Sequence, residues 1–223
     1  MNRKVVFTLV VMALVVAFPA SAASIITDGS FEDASLAGLY ATYYATPIGA
    51  QLGPTMGGWI VSRQSVDMVN STYWNAQDGA HSVDLNGQAQ GAIRQAITLT
   101  QGQQYTLTFW LSANPDGTPN VKDMNVQVGE YVGGTFTGNT LTSPTFSATK
   151  GTGHVLSWYQ QTWTFTALQN ANMIQFSSQT PAFYGPVVDN ISLDANVPEP
   201  GSVVLFGTLT AALALFVRRR RKA

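Results

Sequence analysis

The sequence contains no cysteine, which excludes disulfide staples and thiolate-ligated metals. Stability must then come from core packing, with hard, oxygen-ligated cations as the remaining kind of metal support. Positive charge is almost as scarce once the two ends of the chain are set aside. Between Ala23 and Val197 the only cations are Arg63, Arg94, Lys122 and Lys150, against eleven Asp and Glu, a net of −7 where the whole chain has −1. A body of that charge is repelled by nucleic acid and by anionic membrane surfaces, so nucleic acid is not an expected partner. Helical periodicity of any useful length is also missing from this body. So is a constellation for catalysis: the two histidines, His81 and His154, have neither a nucleophile elbow nor metal-ligand spacing around them. His81 shares a strand face with Val83 and Leu85 and reads as a packed histidine; His154 follows Gly151-Thr152-Gly153 on a loop.

Long apolar runs occur at the two ends. Asn2-Arg3-Lys4, the apolar stretch Val5–Phe18 and the small residues Ala20-Ser21-Ala22 have the form of a secretory signal peptide, residues 1–22. At the other end, Pro198-Glu199-Pro200-Gly201 precedes an uncharged run from Ser202 to Val217, and Arg218–Arg221 with Lys222 follow. As a helix that run would extend about 24 Å at roughly 1.5 Å per residue, a little short of a ~30 Å hydrocarbon core. Bilayer thinning or snorkelling arginines cover the difference, and the basic cluster belongs on the cytoplasmic side. Residues 198–223 resemble the PEP-CTERM sorting signal of exopolysaccharide-producing Gram-negative bacteria, with Pro198, Glu199 and Pro200 as the sorting motif. The resemblance implies an exosortase-type sorting protease as partner, transient anchoring in the inner membrane by one transmembrane helix, cleavage near the motif, and release to the cell surface or extracellular matrix.

The body, residues 23–197, reads as one all-β domain. Tyr105, Leu107, Phe109 and Leu111 alternate with Thr106, Thr108, Trp110 and Ser112; Met124, Val126 and Val128 alternate with Asn125 and Gln127; Tyr159–Thr166 repeats the pattern. Each is a half-buried strand. Trp59–Val61, Val66–Asn70, His81–Leu85, Ala92–Thr98, Met173–Ser178 and Val187–Leu193 are further strand candidates. Turn chemistry separates them, in Asp78-Gly79, Asn86-Gly87, Gln101-Gly102 and Asn114-Pro115-Asp116-Gly117. Nine or ten such strands predict an antiparallel β-sandwich. Leu36–Gly58, with Tyr40, Tyr43 and Tyr44, reads as a long loop.

The opening segment Ile26-Thr27-Asp28-Gly29-Ser30-Phe31-Glu32 and the closing segment Gly185–Leu193 resemble the first and last strands of galactose-binding-like jelly rolls, including many carbohydrate-binding modules. With Gly79–Gly87, Gly91–Gln95 and Thr100–Phe109 between them, the series is similar to the domain of unknown function found in plant cell-wall proteins and bacterial choice-of-anchor C surface proteins. The resemblance implies that opening and closing strands lie side by side, and that Glu32 and Asp189, with Asp28 or backbone carbonyls, hold a structural Ca²⁺. Asp189 stands in the apolar register of Val187, Ile191 and Leu193, and a carboxylate there must be paired, hydrogen-bonded or bound to a cation. The alternative is that Asp189 only caps backbone amides.

Sugar binding in such modules uses aromatics that stack on pyranose faces. Trp110, projecting opposite to Tyr105 and Leu107, with Tyr73, Trp74 and Trp158, are the ligand-binding candidates; packing is the alternative role for each. The expectation is a non-enzymatic, exported surface or matrix protein that binds extracellular polysaccharide. A structural matrix protein without specific glycan binding is the alternative, and a glycan-active enzyme is less favoured than either.

Overall fold

A computed structural model of the chain describes residues 23–34, 36, 38–45, 56–181 and 183–196. The signal peptide, the sorting motif Pro198–Pro200 and the apolar run after it lie outside the described residues. Among the described residues there are twelve strands and no helix: β1 (Tyr40–Tyr44), β2 (Ile60–Arg63), β3 (Ser65–Asn70), β4 (His81–Asp84), β5 (Ala92–Ala96), β6 (Gln104–Ala113), β7 (Val121–Val132), β8 (Thr135–Thr142), β9 (Phe146–Thr149), β10 (Tyr159–Thr166), β11 (Met173–Ser178) and β12 (Pro186–Ala195). They pair antiparallel in two sheets, one ordered β1-β3-β4-β12-β6-β10, the other β2-β5-β11-β7-β8 with β9 also on β7. The fold is the antiparallel β-sandwich expected from the alternation, in the jelly-roll form that the resemblance implied.

The alternating residues meet between the sheets. Tyr105, Leu107, Phe109 and Leu111 of β6, Val83 of β4 and Val188, Ile191 and Leu193 of β12 face Met124, Val126 and Val128 of β7 and Ile174 and Phe176 of β11 in one core. A chain of rings runs through it. Phe31 lies 5.7 Å from Trp59, Trp59 5.7 Å from Phe176, Phe176 5.4 Å from Phe109 and Phe109 5.1 Å from Phe146, edge-on or tilted throughout. Burying these large side chains, at roughly 25 cal/mol per Å² of apolar surface, is what holds together a domain without disulfides.

The opening segment runs beside β12, as the resemblance implied. The Ile25 amide donates to Leu193 O at 2.8 Å and the Ile191 amide to Gly29 O at 3.0 Å. A Cβ at position 29 would lie 2.0 Å from Ile191 O, so only glycine allows the approach.

Three strands depart from the sequence reading. Tyr40–Tyr44, expected within a long loop, is β1 and pairs with β3 from Tyr40↔Val69 to Tyr44↔Ser65. It is an edge strand whose Tyr40, Thr42 and Tyr44 face outward, so it lacks the apolar alternation of a half-buried strand. β8 is exposed or half-buried along its length and is mostly Thr, Gly and Asn, with Phe136 and Leu141 its large apolar residues, so it carries little strand signal of its own. β9, Phe146–Thr149, is too short to show a period.

Candidate functional site

The three carboxylates implied as calcium ligands are each engaged by backbone amides. Asp189 is fully buried; its Oδ2 accepts from the amides of Gln77 (2.7 Å) and Asp78 (3.1 Å), and its Oδ1 from Asn190 (2.7 Å). Glu32 Oε1 accepts from Ala80 and His81, both at 2.8 Å, and Asp28 from the amides of Glu32 (2.7 Å) and Asp33 (3.2 Å). Among the described residues no three His, Cys, Asp or Glu side chains gather into a metal-holding group. This donor set does not fit the implied Ca²⁺. Glu32 and Asp189 instead clamp the 77–81 segment to the opening and closing strands, as an anionic acceptor of several amides does well. Burial pushes the Asp189 carboxyl up to about 7 in spite of its amide donors. His81 is buried as expected, with Nδ1 3.5 Å from Glu32 Oε2.

On the outer face of the β6 sheet the long connections come together over the strands. Trp74 of the β3–β4 connection and Leu156 of the β9–β10 connection pack on Val69 and Val187, a second small apolar cluster with Tyr73 and Trp158 at its edge. Asn75 ties the two connections: its Nδ2 donates to Leu156 O (3.1 Å), its Oδ1 accepts from the Leu156 amide (2.7 Å), and its carbonyl accepts from Trp158 Nε1 (3.0 Å). Beside this cluster lies a groove of ≈ 290 Å³ lined by Tyr40, Asp67, Val69, Tyr73, Trp74, Gly87, Asn114, Asp116, Phe183 and Tyr184. One wall is aromatic and continuous: Tyr73 stands 6.1 Å from Tyr40, 5.5 Å from Trp74 and 5.2 Å from His154. The other wall carries Phe183 and Tyr184, 58 % and 39 % exposed; Tyr40 is 57 % exposed. Large apolar rings this open to solvent beside polar groups are what a ligand-binding surface presents.

The polar floor is organised by buried Asp84. Asp84 Oδ2 accepts from Asn114 Nδ2 at 2.6 Å, and Oδ1 accepts from the amides of Asn86 (2.8 Å) and Gly185 (3.1 Å). One side chain thereby joins the β4–β5, β6–β7 and β11–β12 connections. Burial pushes it up to about 8, against the lowering pull of Asn114 and the Asn86 amide. Asp67, its cross-strand neighbour, is half-buried and accepts from Thr42 Oγ1 at 2.6 Å; burial raises its pKa too. At the rim, Asp116 accepts from Tyr73 Oη at 2.9 Å and lies 3.0 Å from His154 Nδ1. The bond to Asp116 pushes the Tyr73 phenol up to about 12, so it stays a donor at any physiological pH. Tyr184 is seated against backbone: a Cβ at Gly117 would meet its ring at 1.9 Å. Beneath it Lys122, fully buried, donates to Gly117 O at 3.3 Å and lies 5.9 Å from the Tyr184 ring centre.

Of the four aromatics expected to contact ligand, Tyr73 and Trp74 line the groove. Trp110 is half-buried on the same outer face but opposite Gln160 and Asp189, and Trp158 is held at the edge of the small cluster; neither lines the groove. Tyr40, Asp67, Asn114, Asp116, Phe183 and Tyr184 were missed as site residues. The Tyr-rich 40–44 stretch and the Asn114–Gly117 turn were visible signals, but nothing local connects them.

A family model described as "Protein of unknown function (DUF642)" matches residues 24–194. The chain belongs to the DUF642 family. The PEP-CTERM protein-sorting motif matches residues 196–222. Halomucin of Haloquadratum walsbyi is 33 % identical over 196 residues, 85 % of this chain, although the chain spans only 2 % of halomucin's length. Among solved structures, this DUF642 chain is similar to the CBM22-1 xylan-binding domain of Xyn10C from Paenibacillus barcinonensis (TM-score 0.51, 13 % identity, 82 % of this chain and 100 % of that one). An arabinose-bound α-L-arabinofuranosidase aligns at TM-score 0.51 and 8 % identity, over 80 % of this chain and 27 % of its own. At these identities the likeness is one of fold, and the fold is that of carbohydrate-binding modules.

Proposed function

We propose that this DUF642 protein is exported, sorted to the cell surface or matrix through its PEP-CTERM tail, and binds extracellular polysaccharide non-catalytically in the groove on the outer face of the β6 sheet. The observation that carries the reading is the juxtaposition of exposed rings (Tyr40, Phe183, Tyr184) with Tyr73, Asn114, Asp67 and Asp116 in one concave site. Rings cover the apolar face of a pyranose, while amide and carboxylate groups meet its hydroxyls. The sorting tail supports the destination, and the carbohydrate-binding-module fold supports the ligand class. A surface protein of this kind meets an exosortase-type protease once, at the inner membrane, and polysaccharide thereafter.

The non-catalytic reading is supported by how the carboxylates are engaged. Hydrolysis needs two carboxyls free to flank the scissile bond, one as acid and one as base or nucleophile. In the groove Asp116 is already held by Tyr73 Oη and His154 and Asp67 by Thr42 Oγ1, while Asp84, opposite Asp67, is buried behind Asn114. The test is retention of the full chain, in a detergent without a sugar headgroup, on the producing organism's own extracellular polysaccharide. Retention that Tyr184→Ala and Tyr40→Ala abolish is expected; no retention of the unaltered chain would leave the structural-matrix reading in its place. Cell fractionation with and without the sorting protease checks the destination, the expected result being a loss of mass at the C-terminus only when the protease is present.

A further inference from the structure

The charge of the groove narrows its ligand. Its lining contains two carboxylates, Asp67 and Asp116, and no Lys or Arg. The cation nearest to it by contact, Lys122, is sealed beneath Tyr184 with its ammonium on Gly117 O, so it offers nothing to a ligand. His154 sits at the rim on Asp116 rather than within the lining. Asp67, a lining residue, accepts only from Thr42, through Oδ1, so its Oδ2 has no hydrogen-bond donor among the described residues. Burial disfavours its charged form, and an opposite charge from a ligand would relieve that cost. Around these carboxylates stand the faces and edges of Tyr40, Tyr73, Phe183 and Tyr184. Aromatic faces with adjacent carboxylates attract an ammonium twice over, through the ring quadrupole and through direct charge. The same arrangement repels a uronate or a sulfate, which would have to be desolvated beside like charge.

Resting on the groove reading above, we propose that the groove recognises a glycan bearing free amino groups, a polymer of 2-amino sugars whose protonated amines sit between the rings and Asp67 and Asp116. The sugar ring supplies the stacking face and the amine supplies the selectivity, so N-acetylation, which removes the charge, weakens binding while keeping the shape.

The test compares three oligomers of matched length: glucosamine, its fully N-acetylated counterpart and galacturonate. Each is titrated into the full chain in a polyoxyethylene detergent at low ionic strength and about pH 6, where an amine with a pKa near 8 is protonated. The expected result is binding of the glucosamine oligomer about tenfold or more tighter than its acetylated form, the size of one partly desolvated charge contact, and no binding of the uronate. That preference falls as salt is raised. Asp67→Asn and Asp116→Asn, with melting temperatures measured to show that each still folds, each lower glucosamine affinity about tenfold and leave acetylated binding unchanged. Glu130→Gln, on the far sheet, leaves both unchanged. Equal or tighter binding of the acetylated oligomer, binding of the uronate, survival of the preference in both Asp variants, or an equal loss with Glu130→Gln would each overturn the proposal. Acetylated binding that Tyr184→Ala abolishes, without an amine preference, overturns this proposal and keeps the groove; no binding of any oligomer or of the native polysaccharide overturns both.

Discussion

On the outer face of the β7 sheet, Arg94, Gln175 and Gln127 stand in one cross-strand row, and Gln175 Nε2 donates to Gln127 Oε1 at 3.4 Å while Arg94 donates to the Tyr131 hydroxyl beside whose ring it lies. On the outer face of the β6 sheet, the equivalent outward positions Asp67, Val69, Asp84 and Val187 lie beneath folded connections. Both faces obey the same period-two alternation. The β7 face pairs polar groups sideways, strand to strand, Gln175 with Gln127 and Arg94 with Tyr131. The β6 face is covered by Tyr73, Trp74, Leu156 and Trp158 and flanked by Asn114, Asp116, Phe183 and Tyr184 of the connections, so its polar groups become a floor and its aromatics become walls. A concave site on a β-sandwich therefore reflects where the long connections go, more than which residues the strands carry.

Asp84→Ala breaks the comparison most severely. It leaves Asn114 Nδ2 and the Asn86 and Gly185 amides without their buried acceptor, and about 3 kcal/mol of stability should be lost together with polysaccharide retention. Urea unfolding measures the first, and a loss under 1 kcal/mol would show that the connections hold without it. Removing the ring in Tyr184→Ala should lower polysaccharide affinity about tenfold, an aromatic contact of roughly 1–1.5 kcal/mol, while Trp110→Ala, outside the groove, leaves affinity unchanged. Equal losses in the two variants would move the site toward Trp110. Gly117→Ala, which drives a methyl into the Tyr184 ring, should lower affinity in the same direction as Tyr184→Ala.

The pH dependence sharpens the contrast between buried and open carboxylates. Asp84, at about 8, and Asp189, at about 7, lie above the ~3.9 of an unfolded aspartate. Between those values the folded state binds more protons than the unfolded one, so the stability these groups contribute is fully present below about pH 4 and is lost as pH rises through 7 to 8. Urea midpoints at pH 5.5 and 8.5, values taken as roughly bracketing that window, should fall with rising pH, and Asp84→Asn should flatten the fall; a flat profile for the unaltered chain would mean both carboxyls ionise freely. The smallest effect belongs to the β7 face. Gln175→Ala should change stability by no more than about 0.5 kcal/mol and leave binding untouched, as a surface substitution does. A larger effect would give the β7 face a role that its geometry does not suggest.

The strands with an apolar side were legible because alternation is a local property: β6 and β7 can be read residue by residue. In β12, by contrast, a register shift between Asp189 and Ser192 leaves Val187 in the outer cluster and Ile191 and Leu193 in the core, not on the one face expected. β1 and β8 were not legible, because Tyr40–Tyr44 and Thr135–Thr142 are edge strands that bury little, and a strand without a buried face leaves no period. The opening and closing segments were placed side by side by resemblance, and Gly29 shows the physical reason. The partners of their carboxylates were not legible, since sequence shows that a buried Asp189 needs a partner but not that amides of a segment more than a hundred residues away supply one.

By itself, the sequence determined the sorting motif at the C-terminal end, the all-β class, the acidic and cysteine-free character of the body, and the positions of most strands. Each of these is set by composition or by neighbours within a few residues. The groove was decided by tertiary structure alone, because Tyr40, Asp67, Tyr73, Asn114, Asp116 and Tyr184 come from five separate stretches of chain. They meet because the strand order β1-β3-β4-β12-β6 carries the ends of those stretches to one edge of one face, where buried Asp84 ties three of the connections together.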